Sequence, residues 1–535
     1  MQDQQHDTDV IVVGAGPVGL AAGLLLHKFG IRAIVIDRNE TTSDHPKARG
    51  LRQRASELLN VWGFDEELRA IAMPDETHRF IYTTTLAGEE IARTPASPDD
   101  TASLTNTAKY RVAQDQLEAV LNARLAERAG SVALRRGYAV DAVDEDVNGV
   151  TVSTVGPGGS RDTVRGKYLI AADGVGSTIR GLLGQTLGSP GPAPYWHSIY
   201  WVGDLSKLTD SRPAIMYYTQ TGGNSLVGIA PTGTRNRWIT LVQQPASETR
   251  PERLTDAESV AIIRDAVGLP DLAVEVLSSA TFRISADVVD RYRSGRVFLA
   301  GDAAHSLPPT GGFGINTGFA DVHNLVWKLA LVLRGEAPDS LLDSYDSERK
   351  PIAESNAAWS TSNSKRFIAL RRALAEDDRA EIERLVQEHA SHVDPLEQDI
   401  GFAYREPQDE SIPTYAMVVL AARAPHAWIR IAGEQRSTLE LYEGRFTLLT
   451  GEDSAWLAAA RGASAAAGFQ LHAIRTGDIT AVDGALSDRY PLGQTGAVLV
   501  RPDGHVAWMT QGDEHASPTE FERIVQTVFA SGLCD

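Results

Sequence analysis

The sequence predicts an α/β protein: an open, mostly parallel sheet, interrupted by an antiparallel sheet and followed by a smaller β/α unit. Three observations predict it. A run of aliphatics, Val10 to Val13, enters Gly14-Ala15-Gly16-Pro17-Val18-Gly19, then a helical stretch and a second aliphatic run. Between about Ser198 and Ser285 the pattern changes to short β-branched and aromatic runs separated by Gly, Asn and Pro. From about Ile412 to Cys534 the β/α alternation returns. A chain of 535 residues accommodates several domains and a large core.

Thr8 to Val13 reads as a buried strand, Leu20 to Phe29 as a helix closed by Gly30, and Ile31 to Ile36 as a second strand ending in Asp37. This is the Rossmann-like βαβ fingerprint in its required context. Gly14 permits the tight turn, Gly16 lets a pyrophosphate reach the backbone, and Gly19 allows close helix–strand packing. Asp37, with Arg38 beside it, is placed for the adenosine ribose. Gly23 favours close packing of the helix on the sheet and tilts the choice of dinucleotide from NAD to FAD.

Lys47-Ala48-Arg49-Gly50-Leu51-Arg52-Gln53-Arg54 concentrates four cations before an amphipathic segment, Ala55 to Trp62. Such a run is a solvated basic face or a partner for a diphosphate. Tyr110 to Leu117 is expected to open a helix, with Arg111 and Gln114 one turn apart on one face. Lys167 to Ala172 forms a strand ending in Asp173-Gly174, followed by Ser177 and Arg180 on a helix. The changed texture after Ser198 gives strands at Ala214 to Thr219, Ser225 to Ala230, Arg237 to Val242 and Ala280 to Ser285. Tyr217, Tyr218 and Trp238 lie on them, as packing or as pocket lining.

The strand Arg296 to Ala300 delivers Gly301-Asp302, and Pro308-Pro309-Thr310-Gly311-Gly312-Phe313-Gly314-Ile315-Asn316 follows, with a helix beginning near Gly314 to Thr317. Asp302 suits a ribitol or ribose hydroxyl, the loop brings backbone against a flat ring, and the helix start offers N–H groups to an anion. Leu325 to Arg334 and Glu348 to Ala375 read as helices, with Pro351 in a first turn or at a kink; residues 376–411 read as an acidic connector. In the last unit, Arg445 to Thr450 and Gly496 to Arg501 are strands, the second turning through Pro502-Asp503-Gly504 into His505 to Trp508. Glu520 to Phe529 closes as a helix. This resembles a thioredoxin-like domain; without CxxC it performs no thiol exchange, which leaves packing or oligomerisation.

The net charge of −19 argues against nucleic acid and anionic membranes as partners. Cys534 is the sole cysteine, which excludes disulfides and cysteine-based metal sites; no metal site is expected. With no cationic, apolar leader at the start and no long apolar run, the chain is expected to be cytoplasmic.

GxGxxG near the N-terminus, Asp173-Gly174, and Gly301-Asp302 with its Pro-Pro-Thr-Gly-Gly loop together resemble class A flavoprotein aromatic hydroxylases, the p-hydroxybenzoate hydroxylase-like group. Arg423-Ala424-Pro425-His426 and Arg501-Pro502-Asp503-Gly504 are similar to the aromatic polyketide hydroxylases of the aklavinone hydroxylase type. The resemblance implies a discontinuous FAD-binding domain of the glutathione-reductase type at 1–185 and 281–400, with 73–105 contributing to the substrate side. It further implies an antiparallel-sheet substrate domain at 186–280 and a thioredoxin-like domain at 412–535. Gly14, Gly16, Pro17, Gly19, Asp37 and Arg38 would hold the ADP half of a tight, non-covalent FAD. Lys47, where relatives place an Arg, would stand with Arg111 and Gln114 near the diphosphate and ribityl chain. Asp173 would serve both FAD and NAD(P)H; Gly301 and Asp302 would bind the ribityl or diphosphate region. Pro309, Gly311, Gly312, Gly314, Ile315 and Asn316 would line the isoalloxazine. Pro309, Gly311 and Gly312, with Tyr217 and Tyr218 for substrate activation, are the catalytic candidates, while His305 is expected to be structural. The implied reaction consumes NADPH or NADH and O2 and hydroxylates a phenolic or polycyclic aromatic substrate of polyketide type through the flavin C4a-hydroperoxide. Antibiotic-type biosynthesis is the implied setting, and the protein a monomer or homodimer. Baeyer–Villiger insertion, epoxidation and a non-catalytic FAD scaffold stay open as alternatives; a flavin halogenase is disfavoured because WxWxIP is absent.

Overall fold

The structure, a computed structural model, describes residues 6–95, 103–128, 130–188, 193–221, 225–393, 395–406, 413–467, 469–482, 484 and 486–534. Of the expected domain bounds, 1, 412 and 535 lie outside the described residues, as do residues 96–102 of the 73–105 segment.

Four short, fully buried strands form the heart of the molecule: Val10–Val13, Ala33–Asp37, Tyr168–Ala171 and Val297–Leu299. Continuous aliphatic runs mark strands covered on both faces. They pair in parallel, Val297–Leu299 beside Tyr168–Ala171, then Val10–Val13, then Ala33–Asp37, with Val132–Arg136 at one edge and Arg293–Ser294 antiparallel at the other. Because all four run the same way, Gly14, Asp37, Asp173 and Asp302 emerge at one edge of the sheet. Ligands of open α/β sheets bind there. The helices Pro17–Lys28 and Gly314–Leu333 pack side by side against this core.

The second sheet has seven strands, in the order Glu275–Arg283, Ala193–Val202, Arg237–Ser247, Ser225–Pro231, Met216–Thr221, Phe80–Thr83, Glu90–Arg93. The last two come from the segment expected on the substrate side, and Phe80–Thr83 pairs in parallel with Met216–Thr221, Tyr82 opposite Tyr218. Strand alternation sends Tyr217 and Tyr218 to opposite faces. Tyr217 joins Ile81, Ile199, Trp201 and Ile229 against the helix Asp256–Val267. Tyr218 joins Tyr82, Met216 and Ala230 against Leu370, Ile382 and Leu385. A three-stranded meander, Ala139–Glu145, Val150–Val155 and Arg161–Gly166, is an addition that the sequence reading did not contain.

Three expectations change. Residues 376–411 are not a bare connector: Arg379–Val393 is a helix, because Ile382, Leu385, Val386 and His389 form an apolar stripe that caps the second sheet. The helix Ser344–Ala375 begins before Glu348, so Pro351 lies inside it. The helix Gln114–Ala126 begins after Arg111, which therefore sits in the chain leading to it and not on its face.

The last unit carries the sheet Leu471–Arg475, Phe446–Thr450, Ala497–Val500, Val506–Thr510, parallel in its first pair and antiparallel after. Trp456–Ala467 and Pro518–Ser531 cover one face, in the thioredoxin manner. Trp327 and Leu331, from the helix Gly314–Leu333, enter that same core. Among the described residues no helix is long and apolar enough to cross a membrane.

Candidate active site

Each glycine of the first loop meets a different steric demand. Gly14 has φ +103°, and a Cβ there would lie 2.3 Å from the Ala172 carbonyl oxygen; one on Gly19 would lie 1.9 Å from that of Gly14. A Cβ on Gly16 would meet nothing within 4 Å. Space stands open where a pyrophosphate would approach, above a helix start with no side-chain cap and no acid in its first turn. Pro17, at that helix start, loses no intrahelical bond. Asp37 accepts hydrogen bonds from the N–H groups of Ala15 and Asn39 (2.7 Å to the latter), tying the second strand to the loop; Arg38 beside it is exposed.

Asp173 is committed to its own chain. It accepts from the Ser177 hydroxyl and from the Ile179 N–H at 3.2 Å, organising the start of the short helix Thr178–Leu182. Arg180 on that helix donates to the carbonyls of Ala303 at 3.0 Å and Val175 at 2.6 Å, so it stitches the Asp173-Gly174 turn to the Gly301-Asp302 turn. Asp302 is open to solvent yet ringed by protein; the crowding pushes its carboxyl above the usual value, against His305, Lys47 and Arg180. Beneath it, Asp321 accepts from Gly301 N–H at 3.1 Å, His305 Nε2 at 2.8 Å and Arg349 Nε at 3.0 Å, all buried. His305 thus supports the turn from below and faces no open site.

The Pro/Gly loop is held from both sides. A Cβ on Gly311 would fall 2.1 Å from Ser360 Oγ, and Gly312 has φ +65°, so neither position admits a side chain cheaply. Pro309 is exposed. The helix Gly314–Leu333 starts immediately after with no side-chain cap, leaving the first N–H groups, among them those of Gly314 and Ile315, directed out of its end. A Cβ on Gly314 would lie 3.9 Å from Asp302 Oδ1, so the acid and the helix start are neighbours. Asn316 has its amide already engaged: it accepts from Arg52 N–H at 2.9 Å and donates to the carbonyls of Gly50 at 3.3 Å and Gly312 at 2.6 Å.

Asn316 thereby anchors the strap Lys47–Arg52. Gln114 pairs with both backbone groups of Ala48, Leu51 N–H donates to Tyr110 O at 2.9 Å, and Arg52 donates to Gly311 O at 2.9 Å while stacking over Phe313. Arg111 lies over Gly50, and Lys47 is exposed. Upstream, buried His45 joins the strap to the second sheet through Ser198 at 2.9 Å and Ser278 at 2.8 Å; burial and Lys47 hold it neutral, down to about 4. Read as a run of charge, the strap resolves into separate roles, because Arg52 and Arg54 turn inward to Asp399 and Glu57.

The tyrosine pair divides. Tyr217 donates to Arg212 O at 2.8 Å within a packed cluster, its phenol pushed up to about 12 by burial. Tyr218 lies on the other face, among Phe80, Tyr82 and Phe367, within electrostatic reach of Arg49. Arg49, Arg180, Asp321 and His45 escaped the sequence reading as site-building residues. The sequence places Arg180 on its helix, but nothing local marks a guanidinium that pairs with a backbone carbonyl of a distant turn.

One edge therefore offers an open glycine loop, an acid at the end of the second strand, a crowded accessible acid, and an uncapped helix start beside a side-chain-free loop. An extended dinucleotide carrying a flat ring fits it. Residues 7–360 match the family of FAD binding domains and 419–531 that of the aromatic-ring hydroxylase C-terminal domain. A putative polyketide hydroxylase of Streptomyces halstedii is 33% identical, covering 99% of this chain and 98% of its own length. Aklavinone 12-hydroxylase of Streptomyces purpurascens is also 33% identical, over 96% of each chain. Aklavinone-11 hydroxylase, solved with FAD and aklavinone, superposes with a TM-score of 0.85 at 31% identity, over 98% of this chain and 99% of that one. The flavin-dependent monooxygenase PieE, solved with FAD and substrate, gives 0.90 at 29% identity, over 98% of this chain and all of its own. The chain belongs to the FAD-dependent aromatic-ring hydroxylases and is a flavin monooxygenase.

Proposed function

We propose that the protein hydroxylates a phenolic or polycyclic aromatic compound of polyketide type, consuming NADPH or NADH and O2, in the cytoplasm as a monomer or homodimer. One observation carries the reading: the strap Lys47–Arg52 is bonded to the Pro/Gly loop on one side and reaches the aromatic-lined face of the second sheet on the other. A flat ring at the loop and an aromatic substrate at the sheet face would then meet beside the strap.

Bound FAD supplies the redox and oxygen-activating chemistry. Gly14, Gly16, Pro17, Gly19, Asp37 and Arg38 hold the ADP half, with Lys47 and Arg111 as cations for the diphosphate and Gln114 fixing the strap. Gly301 and Asp302 take the ribityl hydroxyls. Asp173 acts by positioning, since its carboxylate orders the helix that carries Arg180. Pro309, Gly311 and Gly312 present backbone to the ring. The N–H groups at Gly314 and Ile315 and the helix dipole favour negative charge on the ring edge they face. Asn316 serves this edge by bracing loop against strap. Tyr218 faces the substrate, and Tyr217 supports the sheet behind it.

The test is a screen of phenols and polycyclic aromatic polyketides for stimulated NADPH or NADH oxidation by the yellow holoenzyme, with products formed under labelled O2. The expected product gains one labelled oxygen as an aryl hydroxyl. An ester or lactone product, or reductant oxidation that no aromatic stimulates, would sink the reading.

A further inference from the structure

We infer that the ion pair Arg52–Asp399, set behind the Pro/Gly loop, tunes the reduction potential of the bound flavin. Arg52 raises the potential, and Asp399 is the positioning residue that aims Arg52 and moderates its charge. The inference rests on the reading that places the flavin ring at this loop, and it adds a control over how readily that ring is reduced.

Arg52 is bound to the loop and to the helix after it. Its Nη1 donates to Gly311 O at 2.9 Å, and a Cβ on Gly312 would lie 3.9 Å from the same nitrogen. Its guanidinium stacks over Phe313, 4.3 Å from the ring centroid. Its backbone N–H donates to Asn316, in the first turn of the helix Gly314–Leu333. A permanent positive charge, largely buried, thus lies against the loop beside the uncapped helix start.

Asp399 fixes that charge from the other side. It ends the short helix Leu396–Asp399 on the way to the last unit. One carboxylate oxygen pairs with Arg52 Nε at 3.4 Å and accepts from Gln53 N–H at 2.8 Å; the other accepts from Arg54 N–H at 3.4 Å. The helix Gln53–Val61 has no cap from the side chain of Arg52, so Asp399 supplies one from far along the chain. Gln398 beside it donates to Asn356 at 2.6 Å, and Asn356 donates to Thr317 at 2.9 Å, next to Asn316. Asp399 is therefore held by the same helices that frame the loop.

The pair acts on the flavin through charge. Hydride from NADPH or NADH brings two electrons and one proton to a neutral ring, which leaves it with one negative charge. Buried charges are screened little by water and salt, so Arg52 favours the reduced ring and Asp399 opposes it. Neutralising one end or the other then moves the potential in opposite directions. A brace with only a mechanical role would move it the same way whichever end was lost.

Reduction titrations of the holoenzyme against a redox dye, without aromatic substrate, test this. Arg52→Gln is expected to lower the reduced-to-oxidised flavin ratio at a fixed dye potential by about tenfold or more, about 30 mV for a two-electron couple. Asp399→Asn, which keeps an acceptor for the helix cap, should raise that ratio by about tenfold. Arg52→Lys keeps the charge and should recover most of the wild-type ratio. The inference is overturned if the ratio falls in both Arg52→Gln and Asp399→Asn, rises in both, or moves in neither. If Arg52→Gln loses FAD, Asp399→Asn decides alone, and a ratio at or below the wild type overturns the inference. Gly312→Ala puts a methyl on the loop itself and should shift the flavin absorption band; an unshifted band would overturn the placement of the ring, and the inference with it. Failure of the hydroxylase reading would look different: the two ratios would move in opposite directions, with no oxygenated product from any aromatic compound.

Discussion

Gly16 and Gly19 stand one helical turn apart and owe their identity to opposite demands. Gly19 is needed by the fold, since a Cβ would meet Gly14 O at 1.9 Å, whereas Gly16 has open space and a φ of −73° that any residue adopts. Gly19→Ala is therefore expected to destabilise the apoprotein by about 1–3 kcal/mol, as overpacking does. Gly16→Ala should leave apoprotein stability within about 1 kcal/mol of wild type, because it also removes unfolded-state freedom. Yet it places a methyl where the diphosphate approaches, and FAD affinity should fall by about tenfold or more. Urea melts of the apoproteins and FAD titrations separate the two; equal FAD affinity in Gly16→Ala and wild type would remove Gly16 from the diphosphate site. Much at this scale was legible, because the glycine signature states its steric demands in the sequence itself. Arg49 was not: as one cation in a basic run it carries no sign of its direction, which only the anchoring of Ala48 and Gly50 decides.

Among the elements, the periodic ones could be read and the strap could not. Val10–Val13, Gly314–Leu333 and Pro518–Ser531 announce themselves by aliphatic runs or helical spacing. Lys47–Arg52 has neither period and gains its shape from Gln114, Tyr110 and Asn316 far along the chain. The helix Arg379–Val393 was hidden by its acidic, exposed face, although Ile382, Leu385, Val386 and His389 already carried the spacing of a buried stripe. The strap's dependence on one side chain gives a prediction. Asn316→Ala removes the acceptor for Arg52 N–H and the donors to Gly50 and Gly312, two contacts on the strap and one on the loop. At about 1 kcal/mol for each bond, the loss should be about 2–3 kcal/mol in a urea melt. The flavin absorption band should shift as loop and strap loosen together. A stability loss with an unchanged flavin spectrum would confine Asn316 to the fold.

Across the whole molecule, buried polar groups join the three sheet-bearing parts. Arg423 pairs with Glu57, Arg54 reaches Asp503 O at 2.9 Å, and Arg501 links Asp503 to Glu348, which also receives Lys328 at 2.8 Å. The thioredoxin-like part is thus welded to the helices flanking the strap, an arrangement that burial of paired charge makes specific more than stable. Two histidines at these seams make assembly sensitive to acid. His45 joins the strap to the second sheet, and His505 stacks on Tyr404 at 4.3 Å beside Asp503. Burial lowers both from 6.5 to about 4, opposed at His505 by Asp503 and reinforced by Arg54 and Arg501. Below 6.5 the unfolded chain takes up protons that the folded one refuses, so their contribution is whole above 6.5 and lost as pH falls toward 4. Each histidine should give a slope of at most about 1.4 kcal/mol per pH unit in that window. Glu348, which burial raises but Arg501 and Lys328 pull down to about 2, acts only below its ordinary 4.5. The interval between 6.5 and 4.5 lies above Glu348 and holds the contribution of the lowered histidines, His197 and His472 as well as His45 and His505. In urea melts across it, His45→Gln, which keeps a hydrogen-bonding side chain at the seam, should lose part of the wild-type slope, the rest belonging to the other lowered histidines. A flat wild-type profile, or an unchanged slope in the variant, would show that His45 is charged in the folded protein and that the strap is not held to the sheet by a neutral ring.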